Sequence, residues 1–408
     1  MTKKQSPIVP VVALLIAQLC VGILYVWSVL KSATISHYGW DAGAVNLVAS
    51  FMLFAFCVGN LFGGALNDKI GPKKVCIIGM ILFGGGILLS SFIPVGAGII
   101  GFYITYCIIG GLGCGFTYGA VISGIQKWFP HRRGFASGLG TSTFGLATVV
   151  FSPIIGKMLN TMSISTTLRI LSIVFLIVGA VASLFVKLPS QEYLATLPTP
   201  APKKTSIQTR DMPLSQAAKT LPFWCIFLGI FFYNGTWNLV TPLIKGLGVE
   251  RGLTEALAIT CVSLTGLFNA AGRLIMASLS DKLGRINTMY ILSVLTPVCA
   301  LLLIFVGGGA YFVVILITAF AYGGPAAVNP ATSTDFFGPK HSGANYGVIM
   351  LALGVSSIVF NAISNAMYAA TGAYTLTFIM AALTAVATIV VFIIINGCIK
   401  KQKAAEAK

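Results

Sequence analysis

The sequence predicts an all-α membrane protein, with twelve transmembrane helices in two pseudo-symmetric six-helix bundles. Three observations carry this expectation. The 408-residue chain is 57% hydrophobic and only 9% charged, whereas a soluble domain carries about 25% charged residues. Its apolar residues come in runs of about twenty, the length that crosses a bilayer core of roughly 30 Å. Features of the first half also recur in the second at a nearly constant offset.

The first run opens almost at once after Met1-Thr-Lys-Lys-Gln-Ser. No small-residue cleavage site follows a short apolar core, so it reads as a retained helix and not a signal peptide. Twelve runs fall at about 8–31, 44–66, 74–94, 97–126, 134–157, 168–187, 221–244, 255–279, 288–306, 310–334, 344–368 and 374–398. The longest polar break, about 188–220, holds Pro189, Pro198, Pro200, Pro202 and Pro213 with Lys203, Lys204 and Arg210. That composition suits a flexible linker on the membrane surface. It divides an N-terminal bundle (1–187) from a C-terminal bundle (221–408).

Charge sets the expected orientation. Of 26 Lys and Arg residues, twenty fall on the side that carries both termini and the linker, and five on the other. The positive-inside rule then makes the termini and the linker cytoplasmic, which an even number of spans requires. The net charge of +17 is distributed as loop clusters, so it argues for membrane topology and against a nucleic-acid partner. The nine cysteines are scattered through apolar stretches with no CxxC and no Cys/His cluster. They read as small core hydrophobes without a disulfide or metal framework.

The halves echo each other. Asp68-Lys69-Ile-Gly71 follows the second run, and Asp281-Lys282-Leu-Gly284-Arg285 follows the eighth, 213 residues later. Gly134 and Gly138 open the fifth run, while Gly343 and Gly347 open the eleventh, offset by 209. Repeated halves of this kind place a substrate site at their interface near mid-membrane.

Arg273 is the charged residue that these spans place deep in the membrane. A guanidinium at the bilayer centre costs about 3 kcal/mol on insertion scales, and such residues usually face a cavity and meet a partner. No acidic residue falls in the interior of a span to serve as that partner, so the expected anion is the cargo. The functional reading is a bidentate carboxylate clamp; the bland one is a cation satisfied by backbone carbonyls or water. Asn269, one helical turn earlier on the same face, either orients the guanidinium or makes a helix–helix hydrogen bond. Tyr118 and Tyr322 sit at comparable places in the two halves, each before a glycine, as site walls and hydroxyl donors or as packing. Tyr25 and Trp27 on the first span are weaker candidates of the same kind, and Phe144, Leu353 and Asn361 could line a cavity by position. Asp68 with Lys69, and Asp281 with Arg285, read as gating groups, since a carboxylate is favoured at a helix N-terminus.

Gly64-x3-Asp68-Lys69-x-Gly71-x-Lys73-Lys74, with its copy at Asp281, resembles the signature loop of the major facilitator superfamily. Tyr25-Val-Trp27, Tyr118-Gly119, Lys127-Trp-Phe-Pro130-x-Arg132-Arg133-Gly134, Thr220-Leu-Pro-Phe223-Trp224, Asn269-x3-Arg273, Ser333-Thr-Asp335-Phe-Phe-Gly338 and Asn345-Tyr-Gly347 together resemble the oxalate/formate antiporter family and its monocarboxylate transporter relatives. The match runs from near residue 20 to near 370. The resemblance implies a carrier of small carboxylates working by alternating access, with Arg273 as the carboxylate-binding arginine, Tyr118 as the helix-4 tyrosine and Tyr322 as the helix-10 aromatic. Two positions depart from it: Leu353 stands where oxalate carriers have a lysine, and Asn269 where proton-coupled monocarboxylate carriers have an aspartate.

The glycine-rich stretch Gly110–Gly115 lies within an apolar run, so close helix packing explains it better than a dinucleotide site. His37, His131 and His341 fall in or near loops, no Ser/His/Asp set or metal-ligand spacing can be placed on one side of the membrane, and no GxxxxGK[ST] loop is present. The expectation is not an enzyme and needs no cofactor. It is a secondary active or facilitative transporter of small organic monocarboxylates of the lactate, pyruvate, formate and acetate class, in a bacterial inner membrane, working as a monomer, with the lipid bilayer and a small carboxylate as partners. Oxalate:formate exchange and a carboxylate-binding membrane sensor are the alternatives.

Overall fold

A computed structural model describes residues 5–198, 211–240, 244–371 and 375–406. The expected cations Lys3, Lys4 and Lys408, and the linker residues Pro200, Pro202, Lys203, Lys204 and Arg210, lie outside the described residues. Among those described, twelve helices are long and apolar enough to span a membrane. They are α1 (Ile8–Tyr38), α2 (Ala42–Ile70), α3 (Pro72–Ser90), α4 (Ile100–Trp128), α5 (Arg133–Thr161) and α6 (Ile164–Leu184). After the linker come α7 (Leu221–Val240), α8 (Glu255–Leu283), α9 (Arg285–Phe305), α10 (Gly308–Phe337), α11 (Ser342–Thr371) and α12 (Thr375–Glu406). The linker carries two short helical pieces, Gln191–Ala195 and Leu214–Ala217.

Local chemistry sets the ends. Asp41, Ser163 and Thr254 cap α2, α6 and α8 by accepting from backbone N–H groups three residues on, which satisfies donors that a helix start leaves orphaned. Pro72 occupies the first turn of α3, where it is pre-set for a helix. Gly71 (φ 82°), Gly284 (φ 90°) and Gly338 (φ 82°) end α2, α8 and α10 in a conformation that a side chain would strain. This explains the repeated Asp-Lys-x-Gly spacing: the glycine turns the chain, and the aspartate three residues earlier is helical. Asp68 and Asp281 therefore sit in the last turns of α2 and α8, not in the loops where the apolar windows end.

Residue contacts divide the chain into two compact units. Unit 1 comprises Met1–His131, Thr143–Pro200 and Lys340–Leu351; unit 2 comprises Arg132–Ser142, Ala201–Pro339 and Ala352–Lys408. Unit 1 thus includes the opening of α11, and unit 2 the opening of α5. Large apolar side chains such as Phe62, Ile81 and Phe92 are exposed, as expected where lipid replaces water as the solvent. Buried glycines let helices approach: a Cβ on Gly59 or Gly63 would strike the backbone of α4, and one on Gly272 the backbone of α10.

Candidate functional site

Within unit 2, α8 and α10 meet at glycines. A Cβ on Gly323 would run into the Asn269 carbonyl and the Arg273 backbone nitrogen, so this close approach depends on Gly323. Arg273 is only 4% exposed. Its Nε donates to Asn269 Oδ1 at 2.8 Å, and its Nη1 donates to the Thr141 carbonyl at 3.0 Å. Asn269 in turn donates from Nδ2 to the Ala319 carbonyl of α10 at 3.4 Å. Ser142 donates to the Ala270 carbonyl at 2.9 Å, tying the third turn of α5 to the same stretch of α8. Asn269 therefore orients the guanidinium and also bonds between helices. Both of these arginine acceptors are neutral, so they fix its direction without opposing its charge.

Tyr322 leaves α10 beside Gly323. Its hydroxyl donates to Asn234 Oδ1 of α7 at 2.5 Å. The Asn234 amide donates to the Leu353 carbonyl at 3.2 Å and to Ser357 Oγ at 3.3 Å on α11. Asn238, one turn further along α7, donates to the same Ser357 oxygen at 3.1 Å. The Trp237 ring stacks on Tyr322, 4.7 Å between centroids and 11° from parallel. Sequence reasoning missed Asn234, Trp237, Asn238 and Ser357; their one available signal was two asparagines spaced one helical turn apart on an apolar span.

In unit 1, Tyr118 is buried between Phe56 and Phe144, edge-on to both at 5.1 and 5.2 Å. Tyr25 meets Phe144 edge-on at 5.2 Å, so one phenyl ring joins the two tyrosines. Tyr25 lies in a 3₁₀ stretch, Gly22–Val26, that interrupts α1, and it is 40% exposed. Trp27 belongs to a different cluster of the same unit: it is buried against Phe102 and Tyr106.

The two aspartates expected to act in gating occupy matching places. Asp68 accepts from the N–H groups of Gly343 and Ala344 at 3.1 and 2.8 Å, at the start of α11. Asp281 accepts from those of Gly134 and Phe135 at 3.0 and 2.8 Å, at the start of α5. Each carboxylate thus takes two orphan donors at a positive helix end. Gly64 and Gly343 have their backbones in mutual contact, which leaves no room for a Cβ on either. The Asp281 cluster is also ionic. Arg285 bridges Asp281 and Asp335, each at 2.8 Å, and Arg133 reaches Asp335 at 3.0 Å. In the other cluster, Pro72 occupies the position equivalent to Arg285. Lys69 is exposed at the end of α2. The sequence motifs contain Arg133 and Asp335 but do not reveal that they pair, because the pairing spans 202 residues. Among the described residues, no group of three or more His, Cys, Asp or Glu side chains could hold a metal ion.

The family model for the Major Facilitator Superfamily matches residues 11–324 and 226–407. Relatives include the Uncharacterized MFS-type transporter YhjX of Escherichia coli, 28% identical over 84% of this chain and 84% of its own. The Oxalate:formate antiporter of Oxalobacter formigenes is 26% identical over 85% of this chain and 81% of its own. The Apicoplast pyruvate carrier 1 of Toxoplasma gondii is 24% identical over 82% and 72%. Among solved structures, the transporter FucP in its outward conformation superposes with a TM-score of 0.70 at 15% identity, covering 95% of this chain and 99% of that one. The human organic anion transporter MFSD10 does so with a TM-score of 0.70 at 15% identity, covering 95% and 100%. At these identities the structural likeness speaks for the fold.

Proposed function

Because this chain belongs to the major facilitator superfamily, a family of multi-pass transporters, we propose that it carries small organic monocarboxylates of the lactate, pyruvate, formate and acetate class by alternating access. One observation carries the choice of cargo. Arg273, mid-span and 4% exposed, is aimed by a neutral asparagine and a backbone carbonyl. A planar guanidinium held in this way suits a carboxylate. Relatives named for oxalate, formate and pyruvate support the same chemical class. Leu353, where oxalate carriers have a lysine, supports a single carboxylate, since a second unpaired buried charge costs several kcal/mol. Tyr118, Tyr322, Tyr25 and Trp27 are proposed as aromatic contacts and Asn269 as the residue that aims Arg273. Asp68, Lys69, Asp281 and Arg285 are proposed to act in gating. The reading includes a bacterial inner membrane, cytoplasmic termini, a monomer, and no catalysed reaction. The test is uptake of labelled acids into proteoliposomes. Monoacids should be carried, and Arg273→Lys should lose uptake by about 100-fold, the value of roughly 3 kcal/mol of charge-assisted bonding. Preference for oxalate over every monoacid would overturn the choice.

A further inference from the structure

The polar cluster of α7, α10 and α11 contains a hydrogen-bonding group whose capacity is not used up. Ser357 Oγ accepts two N–H bonds, from Asn234 and Asn238. A hydroxyl oxygen has two acceptor sites and one proton to give. With both acceptor sites occupied, the proton must point elsewhere, and no acceptor for it appears among the described residues. Ser357 is 5% exposed, so a donor left unspent there costs about 1–3 kcal/mol.

The cluster around it is rigid. Asn234 is held in one orientation, because the Leu353 carbonyl can only accept and the Tyr322 hydroxyl donates to the asparagine oxygen. Asn238 gives its amide nitrogen to Ser357, which leaves its side-chain oxygen as an acceptor, and the residue is only partly buried. Tyr322 and Ser357 lie near the middles of their helices, and Asn234 about two-thirds of the way along α7. Gly323 packs on Asn269 and Arg273 immediately beside Tyr322, so the cluster and the guanidinium share one level of unit 2.

We propose that Ser357 and Asn238 form a neutral subsite, one O–H donor beside one C=O acceptor, for a hydroxyl or keto oxygen on the carbon chain of the acid. This rests on the monocarboxylate reading above and sharpens it. Hydroxy and oxo acids would satisfy the subsite; plain alkanoates would leave it empty. A dicarboxylate would place a second charge against groups that carry none. Asn234, Tyr322 and Trp237 are positioning residues that hold the pair.

The test compares acids that differ by one oxygen. Uptake of lactate, 3-hydroxypropionate, pyruvate and propionate is measured in proteoliposomes for the unaltered protein, Ser357→Ala and Asn238→Leu, with insertion checked by size-exclusion profile. At least one oxygenated acid should exceed propionate in kcat/KM by about tenfold, the effect of one buried polar group left unmatched. In each variant that ratio should fall towards one, chiefly through a raised KM for the oxygenated acid. Asn238→Leu lies on a different helix and gives an independent reading if Ser357→Ala does not insert. An unchanged ratio in the inserted variants overturns the subsite and leaves the arginine clamp standing. If the unaltered protein carries no monoacid at all, the clamp and the subsite fall together.

Discussion

Replacing Asp68 by Asn isolates one carboxylate at a helix start. The change keeps the shape and one acceptor oxygen but removes the charge. Asp68 holds the N–H groups of Gly343 and Ala344 at 3.1 and 2.8 Å. Hydrogen bonds to a charged group contribute about 1.5–3 kcal/mol each and neutral ones about 0.5–1.5. Asn keeps one bond at the lower value and gives up the other, and Asp68 is partly exposed, so water replaces part of the loss. The net effect is about 1–2 kcal/mol, within the range for losing a helix N-cap, which corresponds to a roughly 5- to 30-fold change in an equilibrium constant. Amide hydrogen exchange reads it directly. Peptides containing Gly343 and Ala344 should lose protection by about that factor in Asp68→Asn, while those containing Gly134 and Phe135 should keep theirs. Unchanged protection at Gly343 and Ala344 would refute the reasoning.

Two other substitutions probe the packing and the ionic cluster. Gly323→Ala puts a methyl group against the Asn269 carbonyl and the Arg273 backbone nitrogen. It should lower the midpoint of thermal unfolding, by about 1–3 kcal/mol in stability, and depress uptake of every acid; a variant as stable and active as the parent would remove the close-approach argument. Asp335→Asn leaves the buried Arg285 with Asp281 as its remaining acidic partner and takes from Arg133 its ion pair with Asp335. Asp335 is itself 25% exposed on its side chain, so solvent screening limits the loss to about 1–3 kcal/mol. Thermal unfolding at low and high salt checks this, and a variant no less stable than the parent at low salt would contradict it.

The twelve spans were legible because apolar length alone marks a membrane crossing. Their true ends were not. Asp68 and Asp281 continue their helices past the apolar windows, because polar terminal turns in water do not register as hydrophobic. Arg273 and Asn269 were legible as one face from their four-residue spacing, and the structure joins them by a hydrogen bond. Thr141 was invisible as an arginine acceptor, since it contributes only a carbonyl, which every residue has. Asn234, Asn238 and Ser357 were illegible for a related reason. An amide or hydroxyl in a span reads first as helix packing, and only the arrangement of three helices shows which donors meet on one oxygen. The repeated glycines announced the pseudo-symmetry. The ionic bridge of Arg285 and its absence at Pro72 mark where the two halves have diverged.

Counterflow most directly tests the claim that Arg273 binds the carboxylate of the cargo, because it requires no knowledge of the coupling ion. Proteoliposomes loaded with unlabelled lactate and diluted into labelled lactate should show transient accumulation with the unaltered protein, and none with Arg273→Lys inserted to the same level. Accumulation by the lysine variant at close to the parental rate would contradict the account.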